Sequence, residues 1–99
     1  MINRVLKGLN SSGRLSIPSN FLRFVGIKKC AQVALCSYEK VIAIKPLDQI
    51  NDCKVLAIVK VDSKGRIVYP QYLRGQEKED SIFELYIYNN ELIIESTSI

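Results

Sequence analysis

One six-residue word occurs twice in this 99-residue chain, the second time 52 positions after the first: Gly13-Arg14-Leu15-Ser16-Ile17-Pro18, then Gly65-Arg66-Ile67-Val68-Tyr69-Pro70. A repeat that fills nearly the whole chain restricts the fold to two copies of one small unit. Such a unit cannot bury its apolar face alone, so the copies are expected to pack on each other. The context of the word recurs too. A hydrophobic-rich run precedes it (Val5 to Leu9; Val55 to Val61), a Leu-Arg pair follows it (Leu22-Arg23; Leu73-Arg74), and two further apolar runs close each copy. The spacing divides the chain into a first repeat over 1–47, a linker over 48–53 and a second repeat over 54–99.

Each copy reads as two strands, a short helix and two strands, so the expected class is mainly β with short helices. In the first copy Arg4 to Leu9 is a strand and Asn10-Ser11-Ser12-Gly13 a polar turn. Gly13 supplies the positive φ such a turn demands, and Asn10 can fold its side chain onto the backbone ahead. Arg14 to Ile17 returns as a strand. Pro18 is expected at the first helical position, where its missing N–H costs nothing. Phe21, Leu22 and Val25, with a stop at Gly26, mark an amphipathic helix of about two turns. So short a helix holds only when docked. The strands Gln32 to Ser37 and Val41 to Ile44 follow, joined by Tyr38-Glu39-Lys40. The second copy repeats the plan with Lys54 to Val61, Arg66 to Tyr69, Ile82 to Tyr88 and Glu91 to Ile94. Asn89-Asn90 suits a two-residue hairpin turn, because Asn tolerates positive φ. Gly75 falls just after Leu73-Arg74, so the second helix is expected to shrink to a single turn or vanish. The segment Gln76 to Asp80 is acidic and expected to be exposed.

Charge is distributed unevenly. Residues 1–50 carry eight Lys/Arg against two Asp/Glu, a net of +6, and residues 51–99 carry six against eight, a net of −2. A basic half suits a polyanion such as nucleic acid. No apolar stretch approaches the ~20 residues a membrane helix needs, and Met1-Ile2-Asn3-Arg4 has no signal-like apolar run, so a cytoplasmic location is expected. Three cysteines (Cys30, Cys36, Cys53), without CxxC spacing and with no histidine in the chain, support neither a disulfide scaffold nor a zinc site. They read as buried or half-buried free thiols. The chain has no nucleophile elbow, no Walker loop and no carboxylate cluster at metal-ligand spacing, so no enzyme, cofactor, metal or small-molecule substrate is expected.

The two Gly-Arg words, the helix running through Val25-Gly26-Ile27, and the strands Val41-Ile42, Phe83 to Ile87 and Leu92 to Ile94 closely resemble the AbrB (SpoVT–AbrB) domain. Two copies in one chain, each with an (Asp/Asn)-x-x-Gly-Arg turn, are also similar to the MraZ family. The resemblance implies a swapped-hairpin β-barrel built from two tandem β-β-α-β-β repeats that exchange hairpins, closed within one chain or between chains. It implies a transcriptional regulator that binds double-stranded DNA, assembled as a homodimer or higher homo-oligomer. Carried over position by position, it implies DNA contacts from Lys7, Arg14 and Arg23 in the first copy and from Lys60, Lys64, Arg66 and Arg74 in the second. Leu22 stands where AbrB carries an arginine, which removes one contact from that set. If all seven cations met phosphate, log K would fall with log salt at a slope of about −6.

Each candidate also has a plainer reading. Arg14 and Arg66 could instead pin their turns by pairing with a carboxylate or a backbone carbonyl, and Asp62 reads as a turn former and partner to a neighbouring arginine. Of Tyr69, Tyr72, Tyr86 and Tyr88, alternation puts half in the core. Lys28-Lys29 reads as a solvated turn. The net-negative second half leaves open a different class of function, a protein-interaction module such as an antitoxin or an antagonist of a related DNA-binding barrel.

Overall fold

A computed structural model describes residues 4–39, 41–50, 53–73 and 82–97. Arg74, the acidic run 76–80 and Lys40 of the first hairpin turn lie outside the described residues. The chain is mainly β; the described residues form strands in the order β1 (Val5–Gly8), β2 (Arg14–Ser16), β3 (Gln32–Tyr38), β4 (Val41–Pro46), β5 (Lys54–Lys60), β6 (Arg66–Val68), β7 (Ile82–Tyr88) and β8 (Glu91–Thr97). Among the described residues one α-helix, α1 (Ser19–Phe24), follows β2, and 3₁₀ turns occupy Leu47–Gln49 and Gln71–Leu73.

The strand order reveals how the copies interlock. Six strands form one antiparallel sheet, β1-β7-β8-β4-β3-β5, and β2 pairs with β6 in a separate two-stranded ladder. The opening strand of the first copy thus pairs with the hairpin of the second, and the opening strand of the second with the hairpin of the first. Hairpins are exchanged within one chain. The described ladders do not close the sheet into a continuous barrel; its two edge strands, β1 and β5, run through their turns into the β2–β6 ladder.

The exchange repeats almost residue for residue. Val5 opposes Leu85 and Lys7 opposes Phe83 on one side; Ala57 opposes Leu35 and Val59 opposes Val33 on the other. In the small ladder Arg14 opposes Val68 and Arg66 opposes Ser16. The two polar turns are also built alike. Asn10 Oδ1 accepts from the Ser12 and Arg14 N–H groups, both at 2.9 Å, and Asp62 Oδ1 accepts from Lys64 at 2.9 Å and Arg66 at 2.8 Å. Gly13 and Gly65 sit at φ 74° and 78°, where a side chain would be strained. Each then lends its carbonyl to the other copy: Ile17 N–H donates to Gly65 O at 3.0 Å and Tyr69 N–H to Gly13 O at 3.1 Å.

One core serves both copies. Leu15 and Ile67, facing inward from the small ladder, are completely buried together with Val33, Leu35, Val61, Leu85 and Leu92. Phe21, Leu22, Val25 and Ile27 dock α1 onto the same cluster, which explains why a six-residue helix persists. Pro18 stands one position earlier than expected. Its ψ of 137° keeps it outside the helix as the capping residue, because a proline at the cap leaves its carbonyl free to accept from Phe21 and Leu22 N–H. The helix stops as the sequence suggests. Gly26 at φ 76° lets its own N–H reach Arg23 O and the Ile27 N–H reach Leu22 O, the paired bonds of a Schellman motif. At the corresponding place in the second copy, the described residues form the 3₁₀ turn Gln71–Leu73. Leu73 N–H donates to Pro70 O as Phe21 N–H does to Pro18 O, so Leu73 matches Phe21. The sequence pairing of Leu22-Arg23 with Leu73-Arg74 therefore slips by one residue.

Candidate nucleic-acid interface

The turn chemistry fixes where the arginines point. With Leu15 and Ile67 facing the core, alternation turns Arg14, Ser16, Arg66 and Val68 to the outer face of the β2–β6 ladder. Arg14 and Arg66 lie on opposite strands of this ribbon, two ladder positions apart. A shallow depression beside them is lined by Arg14, Lys60, Asp62, Ser63, Arg66 and Val68, with Cys30 and Val59 at its wall. Three cations expected to act together, Arg14, Lys60 and Arg66, are thereby gathered on one surface.

The two arginines are not in the same state. Arg66 Nε donates to Asp62 Oδ2 at 2.9 Å, so the second guanidinium is held by the carboxylate that also locks its turn. The Arg66 backbone N–H bond, then its side chain and the Lys64 N–H, hold the Asp62 carboxyl below the usual carboxylate range. In the first copy Asn10 stands where Asp62 does; it forms the same turn but carries no charge. Among the described residues Arg14 has no ion pair. The two readings weighed for these arginines therefore divide between them: Arg66 is pinned, Arg14 is not.

The remaining expected contacts fall in different places. Arg23 is exposed in the last turn of α1, outside the depression. Lys64 is exposed in the second turn. Lys7 departs from expectation: it opposes Phe83 and shares the core-facing side of β1 with Val5 and Leu9, where it is half-buried. Its counterpart by register is Val59, not Lys60, because Lys60 sits opposite Gln32 where Gly8 sits opposite Ile82. A one-residue offset in a strand reverses the side chain's face, so Lys60 is exposed where Lys7 is not.

The far face of the six-stranded sheet carries a feature that sequence reading missed. Arg4 stacks over the Tyr86 ring, 4.1 Å from its centroid, and pairs with Glu84. Tyr86 is buried and donates to Glu95 at 2.8 Å; burial first, then Glu95, push its phenol up to about 12. Around this stack Tyr38, Val41, Tyr88 and Ile93 line an open hollow. Of the four tyrosines considered above, Tyr69 and Tyr86 are buried and Tyr72 and Tyr88 exposed, an even division. Cys36 is buried and Cys53 half-buried, but Cys30 is exposed, contrary to expectation, because it occupies a turn at φ 70° ahead of β3.

Among the described residues no group of three His, Cys, Asp or Glu could hold a metal ion, and no helix is long and apolar enough to cross a membrane. Comparison with known proteins gives no match: no family model fits the chain, and neither a curated protein nor a solved structure aligns with it.

Proposed function

We propose that this protein is a DNA-binding regulator that meets duplex DNA with the outer face of its β2–β6 ribbon. The observation that carries the reading is the unpaired Arg14 guanidinium, set beside Lys60 and Arg66 on a ribbon whose turns are locked by side-chain hydrogen bonds. A two-stranded ribbon fits the major groove of B-DNA, and an arginine can there donate two hydrogen bonds to a guanine edge. Most of the affinity comes from phosphate contacts, supplied by Arg14, Lys60, Lys64 and the helix-borne Arg23. The likeness of the two Gly-Arg words to the AbrB domain supports the same reading. The net charge of +6 in the first half agrees with it, since the free arginine and the helix both belong to that half.

The test is a gel-shift titration of a duplex with Arg14→Ala and with Arg14→Ala/Lys60→Ala. Both variants keep the core intact, because both side chains sit outside it. Weaker binding by the single variant and a further loss in the double variant are expected. Affinity equal to the parent in both would overturn the assignment.

A second reading is favoured by the hollow on the far face. Three tyrosines, Val41 and Ile93 with a stacked arginine have the composition of a protein-binding surface. A partner that co-purifies and is released by Tyr88→Ala, in a protein that shifts no duplex, would establish the interaction module instead.

A further inference from the structure

Cys36 and Cys53 place their sulfurs 3.2 Å apart, and both are unbonded thiols. Their closeness originates in the β3–β5 ladder. The register passes from Leu35 opposite Ala57 to Cys36 opposite Val55, so Leu56 is an extra residue on β5. A bulge of this kind bends its strand and re-aims the side chains beyond it. Cys53, two residues before Val55, is brought to the side of the sheet on which Cys36 points. Because Leu35 faces the shared core, Cys36 faces away from it. The 3₁₀ turn Leu47–Gln49 lies against β3. Cys36 is 1% exposed there, whereas Cys53 is half-buried. Burial, followed by the neighbouring Cys53, pushes the Cys36 thiol up to about 11. One sulfur is thus open to a reagent and the other is reached through it.

We propose that Cys36 and Cys53 form a redox-modification site, which a low-molecular-mass disulfide converts into an intramolecular bond between the first copy's hairpin and the linker residue that immediately precedes the second copy's opening strand. The Cys53 thiolate attacks one sulfur of the small disulfide. Its S–S bond breaks, a mixed disulfide forms on Cys53, and the departing thiolate takes up the proton that Cys53 released. Cys36 then gives up its proton and attacks the Cys53 sulfur, expelling the second small thiolate, which that proton neutralises. Two protein thiols lose two electrons, and one small disulfide becomes two thiols. The sulfurs must approach from 3.2 Å to the bonded distance of about 2.0 Å. The bond would close a loop through β4 and the linker and hold the entry of β5 against β3, the strand it pairs with.

The test uses the full chain with Cys30→Ser, which removes the exposed third thiol, incubated with oxidised glutathione. The expected result is loss of both remaining thiols, a linked Cys36–Cys53 peptide in a non-reducing digest, and reversal by dithiothreitol. The melting midpoint should rise on the order of 10 °C, as a cross-link over a loop of this length gives in a small domain. Adding Cys53→Ser, a change at a half-buried site that spares the core, should abolish both effects. A glutathione adduct that stays on Cys53, a chain-to-chain dimer, or two thiols left unreacted would each overturn the proposal.

Discussion

The salt dependence of DNA binding separates the interface drawn from the sequence from the one drawn from the fold. Seven phosphate contacts give a slope of log K against log salt of about −6, because each contributes roughly −0.9. The fold withdraws two of the seven: Lys7 is half-buried on the core side of β1, and Arg66 is held by Asp62. With Arg74, which lies outside the described residues, still counted beside Arg14, Arg23, Lys60 and Lys64, five cations remain and their slope is about −4.5. Between 50 and 200 mM salt, seven contacts weaken binding roughly 6,000-fold and five roughly 500-fold. Fluorescence anisotropy with a labelled duplex across that range resolves the two easily. Arg14→Ala should then reduce the slope by about one. A parent slope near −6 would refute the claim that Asp62 and burial withhold cations. A slope near zero would refute the phosphate-binding face itself.

Three further expectations concern the scaffold. The depressed Asp62 carboxyl adds stability that is present above the ordinary carboxylate pKa and lost as pH falls through its lower folded value; Asp62→Asn, which copies Asn10, should flatten the acid limb of a pH series of urea melts while the turn stays formed. The raised Tyr86 phenol adds stability that is complete below pH 10 and lost as pH rises towards about 12; a tyrosinate absorbance titration should show a late-ionising component, and Tyr86→Phe should remove it. Ile67→Ala opens a fully buried site at the centre of the small ladder and should cost about 2–5 kcal/mol in urea unfolding, whereas Val68→Ala, one position along on the outer face, should cost far less.

Much of the fold is legible in the sequence, because repetition of the word dictates repetition of the backbone. The strand Ile82 to Tyr88 has the expected bounds, and Asn89 and Asn90 adopt φ 51° and 64°, the left-handed pair a two-residue hairpin turn requires. Gly13, Gly26 and Gly65 all sit at positive φ where turns and a helix end were expected. What escaped were the facts that depend on pairing across the chain. Lys7 and Lys60 stand 53 positions apart in a 52-residue repeat and so face opposite ways; that Lys7 takes the core side depends on β1 pairing with β7 of the other copy. The bulge at Leu56 has no Gly to announce it, so the approach of Cys53 to Cys36 could not be foreseen from their spacing. Arg4 and Tyr86 are 82 positions apart in the chain, and their stacking follows from strand exchange alone. The split between Arg14 and Arg66 was nearer to hand: Asn10 and Asp62 already differ by one charge at equivalent places.

The pattern of divergence between the copies carries the functional argument further than either copy does alone. Positions that build the shared framework stay equivalent: the two glycine carbonyls, the two Asx-type turns, Leu15 with Ile67, and the matched ladders. Positions on the outward surface differ. The first copy has a neutral turn former, a free arginine and a helix bearing Arg23; the second has a carboxylate and a paired arginine, and opens its corresponding segment with a 3₁₀ turn among the described residues. On the proposed reading, such a pseudo-twofold scaffold should bind duplex DNA without regard to palindromy, since of the two motif arginines only Arg14 is unpaired among the described residues. A symmetric operator would demand that the second half contribute equally, and that requires Arg66 to leave Asp62. Competition between a phosphate and the Asp62 carboxylate for one guanidinium is therefore the step on which any two-sided mode of binding depends.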